Sequence, residues 1–308
     1  MRTLLLSLLA VPILACAVQE AEDRYAMDIP EDAEQIDLYG DGKIRMVIRV
    51  DDVGMNHAVN TAFRRIAETG CVSAASVMVI SPWLDEAVEI LREHPEISVG
   101  VHTCFNSEWV PYRWGPVLPA EDVPSLVDER GHFFGTRAQL REHGVDLEEF
   151  EAELRAQVDL ALACGLNLSY IDHHMSAAVD TEEMRAIFEQ VARDYGLGVS
   201  RAYGERGGLS IYSASPEAKA DTLLAQIAEL EEPGIYLSVH HPGLDVPEMA
   251  VLRDLNVTGL PDMHIHRQAE TDALCDPRLP ALLEERGIEI VGYDDLSDRF
   301  GVRVWYPH

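Results

Sequence analysis

The feature that most constrains the fold is a repeated alternation of short apolar segments with segments of helical periodicity, which begins near Lys43. The apolar segments are rich in Val and Ile and lack the polar alternation of half-exposed strands, which is typical of strands buried on both faces of a parallel sheet. Seven segments are predicted strands: Ile44–Val50, Ala74–Ile80, Ile97–Thr103, Ser169–His174, Gly198–Tyr203, Ile235–His241 and Ile288–Tyr293. The helical segments between them lie at about 57–69, 83–93, 148–165, 181–195, 216–231 and 277–286.

Repeated β-α units predict a parallel sheet with a helical cover. Six crossovers without a break favour a single domain over residues 43–308, in the α/β class, folded as a distorted parallel (β/α) barrel of about seven strands. A doubly wound open sheet is the alternative that the same alternation permits. The 308 residues are 47% hydrophobic, so the chain can bury a sizeable core.

The charge balance argues against two classes of partner. The chain has 54 Asp and Glu residues against 24 Lys and Arg residues, a formal net charge of −30. Nucleic-acid phosphates and anionic lipid headgroups both require clustered Lys and Arg. We therefore expect no nucleic-acid partner and no membrane docking through a basic patch.

The N-terminus has the pattern of an export signal. Arg2 precedes an apolar run, Leu4–Leu14, that is too short for a comfortable transmembrane helix. The tetrapeptide ILAC ending at Cys16 resembles a lipobox and predicts lipidation of Cys16, whereas Ala-Cys-Ala also fits an ordinary cleavage site. Residues 1–16 are thus a predicted signal peptide and 17–42 an acidic tether. The protein is expected to be exported to the periplasm or cell surface as a lipoprotein, anchored to the membrane through its lipid alone.

A long insertion follows the third predicted strand, from Cys104 to Gly144, and it is rich in aromatic residues. Loops of this length in compact domains are usually functional or disordered, and the aromatic content argues against disorder. Trp109 and Trp114 suit the apolar faces of sugar rings. They are equally suited to packing a lid or the contact of a homodimer.

Metal-type ligands lie at the ends of four of the predicted strands. They are Asp51 and Asp52, His102, the run Asp172-His173-His174, and His241 before Pro242. The carboxyl ends of the strands in a parallel barrel share one face, so these residues are expected to converge. Two His and one carboxylate with an open position form the ligand set of a catalytic metal site.

The chain resembles the YdjC-like carbohydrate deacetylase family, which includes chitooligosaccharide deacetylases and belongs to the polysaccharide deacetylase superfamily. The matching motifs are VDDVG (50–54), GVH (100–102), IDHH (171–174), HHPG (240–243), GIEIVGYDDL (287–296) and the insertion segment SEWVPYRWGPVLP (107–119). The resemblance covers roughly residues 43–298. It implies a distorted β/α barrel and metal-dependent removal of an N-acetyl group from an amino sugar or short oligosaccharide.

The resemblance also implies residue roles. Asp52, His102 and His174 would hold one divalent ion, Asp51 would be the general base, and His241 would be an acid or a substrate ligand. Zinc suits imidazole ligands better than magnesium does, although family members are also described as magnesium enzymes.

The chain departs from the family pattern at His173, where the family usually has Ser. Asp-x-His spacing favours His174 as the ligand, because adjacent strand residues point to opposite faces. Asp172 and His173 are then expected to orient a ligand or contact substrate. Two other functions are compatible with the sequence: a metal-dependent hydrolase of another amide or an ester, and a non-catalytic glycan-binding lipoprotein.

Overall fold

The computed structural model describes residues 37–256 and 259–304 and has a mixed α/β fold. The strands within these ranges are β1 (Ile44–Val53), β2 (Ala74–Val77), β3 (Ser98–Thr103), β4 (Trp109–Val110), β5 (Leu168–His173), β6 (Gly198–Val199), β7 (Arg206–Leu209), β8 (Gly234–His240), β9 (Arg253–Asp254) and β10 (Glu289–Ile290). Seven of them form one sheet in the order β6-β5-β3-β2-β1-β8-β7, with all neighbours parallel, and β10 pairs with the first residues of β1.

The main sheet is strongly curled. Arg49 on β1 donates a hydrogen bond to Ser200, just after β6, at 2.6 Å, although β6 lies four strands away. Four strand spacings in a flat sheet would separate them by roughly 19 Å, since neighbouring strands lie about 4.8 Å apart. The edge strands β6 and β7 are not paired with each other in the described ranges, so the sheet is an open half-barrel. The predicted distorted parallel barrel is confirmed in this form.

The helices cover the sheet. They are α1 (His57–Ala67), α2 (Leu84–Glu93), α3 (Arg137–His143), α4 (Leu147–Ala163), α5 (Glu182–Tyr195), α6 (Lys219–Ala228), α7 (Pro247–Ala250), α8 (Met263–Leu274), α9 (Arg278–Arg286) and α10 (Tyr293–Phe300). Side-chain caps mark the start of several, as at α1, where Asn56 accepts from the backbone N–H of Val59. Gly196 and Gly287 end α5 and α9 in the left-handed conformation that a helix C-terminus favours.

Strand register assigns each side chain to one face of the curl. On β1, Met46, Ile48 and Val50 belong to the larger apolar cluster that includes residues of the helices. The alternate residues, such as Val47 and Arg49, face inward, because successive strand side chains point to opposite sides. His102 on β3 is in register with Asp172 on β5, so the two residues share the inner face.

Aromatic residues fill the lower part of the inner face. Tyr170, Tyr203 and Tyr293 are fully buried and pack together, with ring centroids of Tyr170 and Tyr293 4.2 Å apart. Gly100 makes room for this cluster, because a Cβ atom there would lie 2.4 Å from the Tyr170 ring. Tyr293 begins α10, so the predicted strand at 288–293 is shorter than expected and becomes a helix that closes this end of the half-barrel.

The insertion after β3 is ordered and packs onto the carboxyl end of the sheet. Its strand β4 pairs antiparallel with β9, from the segment after β8, so that two distant parts of the chain form one small flap. Within the described ranges, no helix has both the length and the apolar composition that crossing a membrane requires. The predicted signal peptide at 1–16, Cys16 and most of the tether predicted at 17–42 lie outside the described residues.

Candidate active site

Two consecutive aspartates enter the site because β1 ends irregularly. The β1–β2 register shifts between Val50 and Val53, and Asp52 has φ 63°, in the left-handed region that non-glycine residues rarely occupy. Such strain costs of the order of 1–3 kcal/mol and is concentrated at functional sites. The irregularity lets both Asp51 and Asp52 reach inner-face partners, and both are buried.

Asp52, His102 and His174 converge as predicted. Oδ1 of Asp52 lies 3.5 Å from Nε2 of His102 and 3.3 Å from Nδ1 of His174, and the two nitrogens are 3.2 Å apart. Ligand atoms around a tetrahedral ion at about 2.1 Å would lie about 3.4 Å apart. The three side chains therefore have the spacing of a metal-binding triad.

The hydrogen bonds behind the triad leave three acceptors facing one another. Nδ1 of His102 lies 3.0 Å from Asp172, and Nε2 of His174 lies 2.9 Å from Glu108. Each carboxylate accepts the proton of the ring nitrogen that it contacts, so the opposite nitrogen of the neutral ring presents a lone pair. Oδ1 of Asp52 has no hydrogen-bond donor among the described residues. A cation meets all three acceptors at once, so these residues fit a bound metal ion.

The buried charges also favour a divalent cation. Before the histidines are counted, four carboxylates against two guanidinium groups leave a formal charge of −2: Asp51, Asp52, Asp172, Glu108, Arg49 and Arg267. Burial opposes the protonated form of His174, but Glu108 and Asp52 outweigh it and raise the pKa of His174 to about 10. Burial likewise opposes ionisation of Asp52, yet Arg267 and His174 hold its pKa well below the usual range. The site thus attracts positive charge.

Asp51 lies beside the triad and is held by an arginine clamp. Arg49 donates to Oδ1 of Asp51 through Nε at 2.7 Å and to Oδ2 through Nη2 at 2.8 Å. The same Nη2 lies 3.0 Å from Asp172, so a guanidinium group already bridges the second acidic cluster of the site. The clamp orients Asp51, and each carboxylate oxygen keeps a lone pair for another proton.

His241 is the other predicted catalytic residue, and it lies at the edge of the site. Its Nε2 is 3.9 Å from Oδ2 of Asp51, and its side chain is 34% exposed, so it is open to an incoming molecule. A buried ion pair holds its backbone: Glu270 accepts from the N–H of His241 at 2.7 Å and from Lys219 Nζ at 3.1 Å. His240 points to the opposite face of β8, where it contacts Ser238.

His173 and His174 separate as the alternation of strand side chains requires. The ring of His173 packs edge-on against Phe188 of α5, outside the triad, while His174 joins the triad. Asp172 contacts Nδ1 of His102, and its role in orienting that ring stays a prediction. Trp109 and Trp114 are both buried, and the Trp114 ring lies 5.9 Å from that of His174.

Three residues of the site escaped the sequence interpretation. Glu108 lies in the insertion, where the sequence interpretation concerned only the aromatic residues. Arg267 and Glu270 lie on α8, which was not predicted. Nη2 of Arg267 donates to Oδ2 of Asp52 at 2.6 Å. Gly243 of the HHPG motif lets this helix approach closely, since a Cβ atom on Gly243 would lie 3.3 Å from Cβ of Arg267.

The chain is similar in sequence to known proteins. The family model described as YdjC-like protein matches residues 45–285. A carbohydrate deacetylase of Brevibacillus brevis is 35% identical over 134 residues, 42% of this chain and 49% of that protein. In that match the chain spans about half of its relative's length. A carbohydrate deacetylase of Enterococcus faecalis is 25% identical over 272 residues, 82% of this chain and 98% of that protein.

A solved structure has a similar fold over the same share of this chain. The crystal structure of an Enterococcus faecalis V583 protein, described as a cellobiose-phosphate cleavage protein, matches with a TM-score of 0.68 and 25% identity. The match covers 82% of this chain and 99% of that one. The fold, the ordered motifs and the family match over most of the chain confirm the resemblance found in the sequence: the chain belongs to the YdjC-like protein family.

Proposed function

We propose that the protein is a metal-dependent carbohydrate deacetylase that hydrolyses the C–N bond of the N-acetyl group of an amino sugar or short oligosaccharide. The observation that carries the proposal is the Asp52, His102 and His174 triad with Asp51 beside it. The names of the Brevibacillus and Enterococcus relatives support the carbohydrate substrate class. Imidazole ligands favour zinc over magnesium.

Asp52, His102 and His174 would hold the cation. When bound, a divalent cation supplies Lewis-acid activation of a water molecule and of the amide carbonyl. Asp172 and Glu108 would accept the protons of the ring nitrogens that face away from the cation, which leaves the opposite nitrogens to bind it.

Asp51 would accept the proton of the attacking water. Arg49 donates two hydrogen bonds to the Asp51 carboxylate, so the orientation of this carboxylate does not depend on the substrate. General-base assistance of this kind typically contributes about 10²–10⁴-fold to the rate.

His241 would donate the proton that the departing amine requires. It is the histidine of the site that is partly exposed, and its Nε2 lies 3.9 Å from Oδ2 of Asp51. A proton taken up by Asp51 is therefore close to His241, the group that must supply a proton to the amine. The Lys219–Glu270 ion pair keeps the His241 backbone in place.

The test is acetate release from N-acetylglucosamine oligosaccharides of one to four units, with zinc-loaded and magnesium-loaded protein and Asp52→Asn as the inactive control. Release that requires metal and is lost in Asp52→Asn supports the proposal. Cleavage of p-nitrophenyl acetate without cleavage of the sugars would instead indicate an esterase. Tight sugar binding by metal-loaded protein without turnover would indicate a glycan-binding protein.

A further inference from the structure

Arg267 carries hydrogen-bonding capacity that its contact with Asp52 does not use. The side chain is 4% exposed, and among the described residues only its Nη2 has an acceptor, at Oδ2 of Asp52. Nε and Nη1 are buried without a hydrogen-bond partner in the described part of the chain. A buried donor without an acceptor costs about 1–3 kcal/mol, and more when it is charged.

Trp109 adds a third donor of the same kind. It is 3% exposed, and its Nε1 is also buried without an acceptor among the described residues. Its ring centroid lies 5.6 Å from Cζ of Arg267. By contrast, the nearby Trp114 is satisfied, since its Nε1 donates to the carbonyl of Asn106 at 2.7 Å.

The two side chains flank the metal-binding triad from different elements. Arg267 extends from α8 to one oxygen of Asp52, whose other oxygen belongs to the triad. Trp109 follows Glu108, whose carboxylate holds His174. The unused donors therefore belong to residues on both sides of the triad. Arg267 carries a positive charge and Trp109 offers a neutral N–H, so together they match an oxygen that bears negative charge.

We propose that Arg267 and Trp109 donate hydrogen bonds to the acyl oxygen of the substrate. This inference rests on the proposed deacetylase function. The water oxygen bonds to the carbonyl carbon, and a proton of the water passes to Asp51. The C=O π electrons then move onto the acyl oxygen. When the C–N bond breaks, this electron pair re-forms the C=O bond, and the nitrogen takes a proton from His241. The two donors stabilise the charge between these steps.

Trp109→Phe is the decisive variant, because it removes the indole N–H, keeps a smaller aromatic ring and leaves the residues of the triad unchanged. Losing a donor to a developing oxyanion typically costs about 10²–10³-fold in kcat. We expect kcat for acetate release to fall at least 10-fold with KM within twofold, and the inhibition constant of the product acetate to rise. Trp83→Phe, at a tryptophan that is 42% exposed, is the matched control.

Arg267→Lys tests the second donor, with metal content measured beside activity because Arg267 also contacts Asp52. If both residues serve one oxygen, the double variant should lose less than the product of the two single losses. A Trp109→Phe protein with full metal content and wild-type kcat and acetate inhibition would overturn the inference.

Acetate binding separates this inference from the proposed function. If the wild-type protein releases no acetate from any sugar, the deacetylase proposal fails. Calorimetry of acetate binding to the zinc-loaded protein then tests the proposed donor site by itself. Weaker acetate binding in Trp109→Phe supports the donor site, and equal binding rejects it.

Discussion

Glu108 accepts the Nε2 proton of His174 at 2.9 Å, although 66 positions separate the two residues. Glu108→Gln keeps the size and one acceptor but removes the charge that supports the imidazole. We expect metal affinity to fall by about 10–100-fold, as is typical when a partner of a ligand histidine is replaced. Competition with a chelator measures the change, and Glu151→Gln on the surface of α4 is the control. Unchanged affinity would show that Glu108 is dispensable for the ligand.

The same pair predicts how metal binding depends on pH. Without a cation, the pKa of His174 is raised to about 10, chiefly by Glu108 and Asp52 acting against burial. A metal ion needs the neutral ring, so binding releases this proton, and the apparent affinity should rise by about tenfold per pH unit from pH 7 to 9. Glu108→Gln should flatten the slope. Calorimetry in buffers of different ionisation enthalpy counts the protons released.

The triad predicts which histidine binds the metal. His174→Ala and Asp52→Asn should lose both metal and turnover while the far-UV circular dichroism stays near wild type. His173→Ala should keep its metal, because His173 packs on the other side of the strand against Phe188. Elemental analysis of the purified variants gives the answer, and metal lost in His173→Ala but kept in His174→Ala would reverse the assignment.

Asp51 and Asp52 should separate kinetically. Asp51→Asn preserves the size of the side chain but leaves no basic carboxylate, so the protein should keep its metal and lose about 10²–10⁴-fold in kcat. That loss corresponds to roughly 3–5 kcal/mol of barrier at about 1.36 kcal/mol per factor of ten. The check is a pH profile of kcat/KM at saturating metal. A nearly wild-type rate with an unchanged acidic limb would remove Asp51 from the role of base.

His240 predicts a loss of stability in acid. Burial lowers its pKa to about 4, against 6.5 for an unperturbed histidine. Between these values the unfolded chain binds more protons than the folded one, so stability is lost as the pH falls from about 6.5 to 4, by up to roughly 3 kcal/mol. His240→Gln should show a smaller loss than wild type between pH 7 and 4.5 in urea denaturation. The exposed His57→Gln controls for removing a histidine, and an identical pH dependence in His240→Gln would contradict the prediction.

Export remains a proposal that rests on the N-terminal sequence. The apolar run before Cys16 motivates lipidation at that residue. A labelled fatty acid should enter the protein in a bacterial host and be absent from Cys16→Ser, while Cys164→Ser should retain it. A mature protein that begins at Val18 and carries no lipid would indicate the ordinary cleavage instead.

The sequence contained enough to predict the strand scaffold and the convergence of Asp52, His102 and His174. Each of the seven predicted strands has a counterpart, because buried parallel strands show as apolar runs whatever lies next to them. β7 was missed because Gly207 and Gly208 at its centre have no side chains to make a pattern. Helix α8 was missed because its buried face includes Arg267, Glu270 and Thr271 instead of a clear apolar stripe.

The sequence by itself determined the β-α order, the strand ends at which Asp51, Asp52, His102 and His174 lie, and the family. Only the tertiary structure decided which groups surround them. Glu108 reaches His174 through the flap of β4 and β9, and Arg267 reaches Asp52 from α8. Neither contact has a local sequence signal, because a buried charge is placed by the partner it meets across the fold. Strand periodicity records only which residues are buried and which face they occupy.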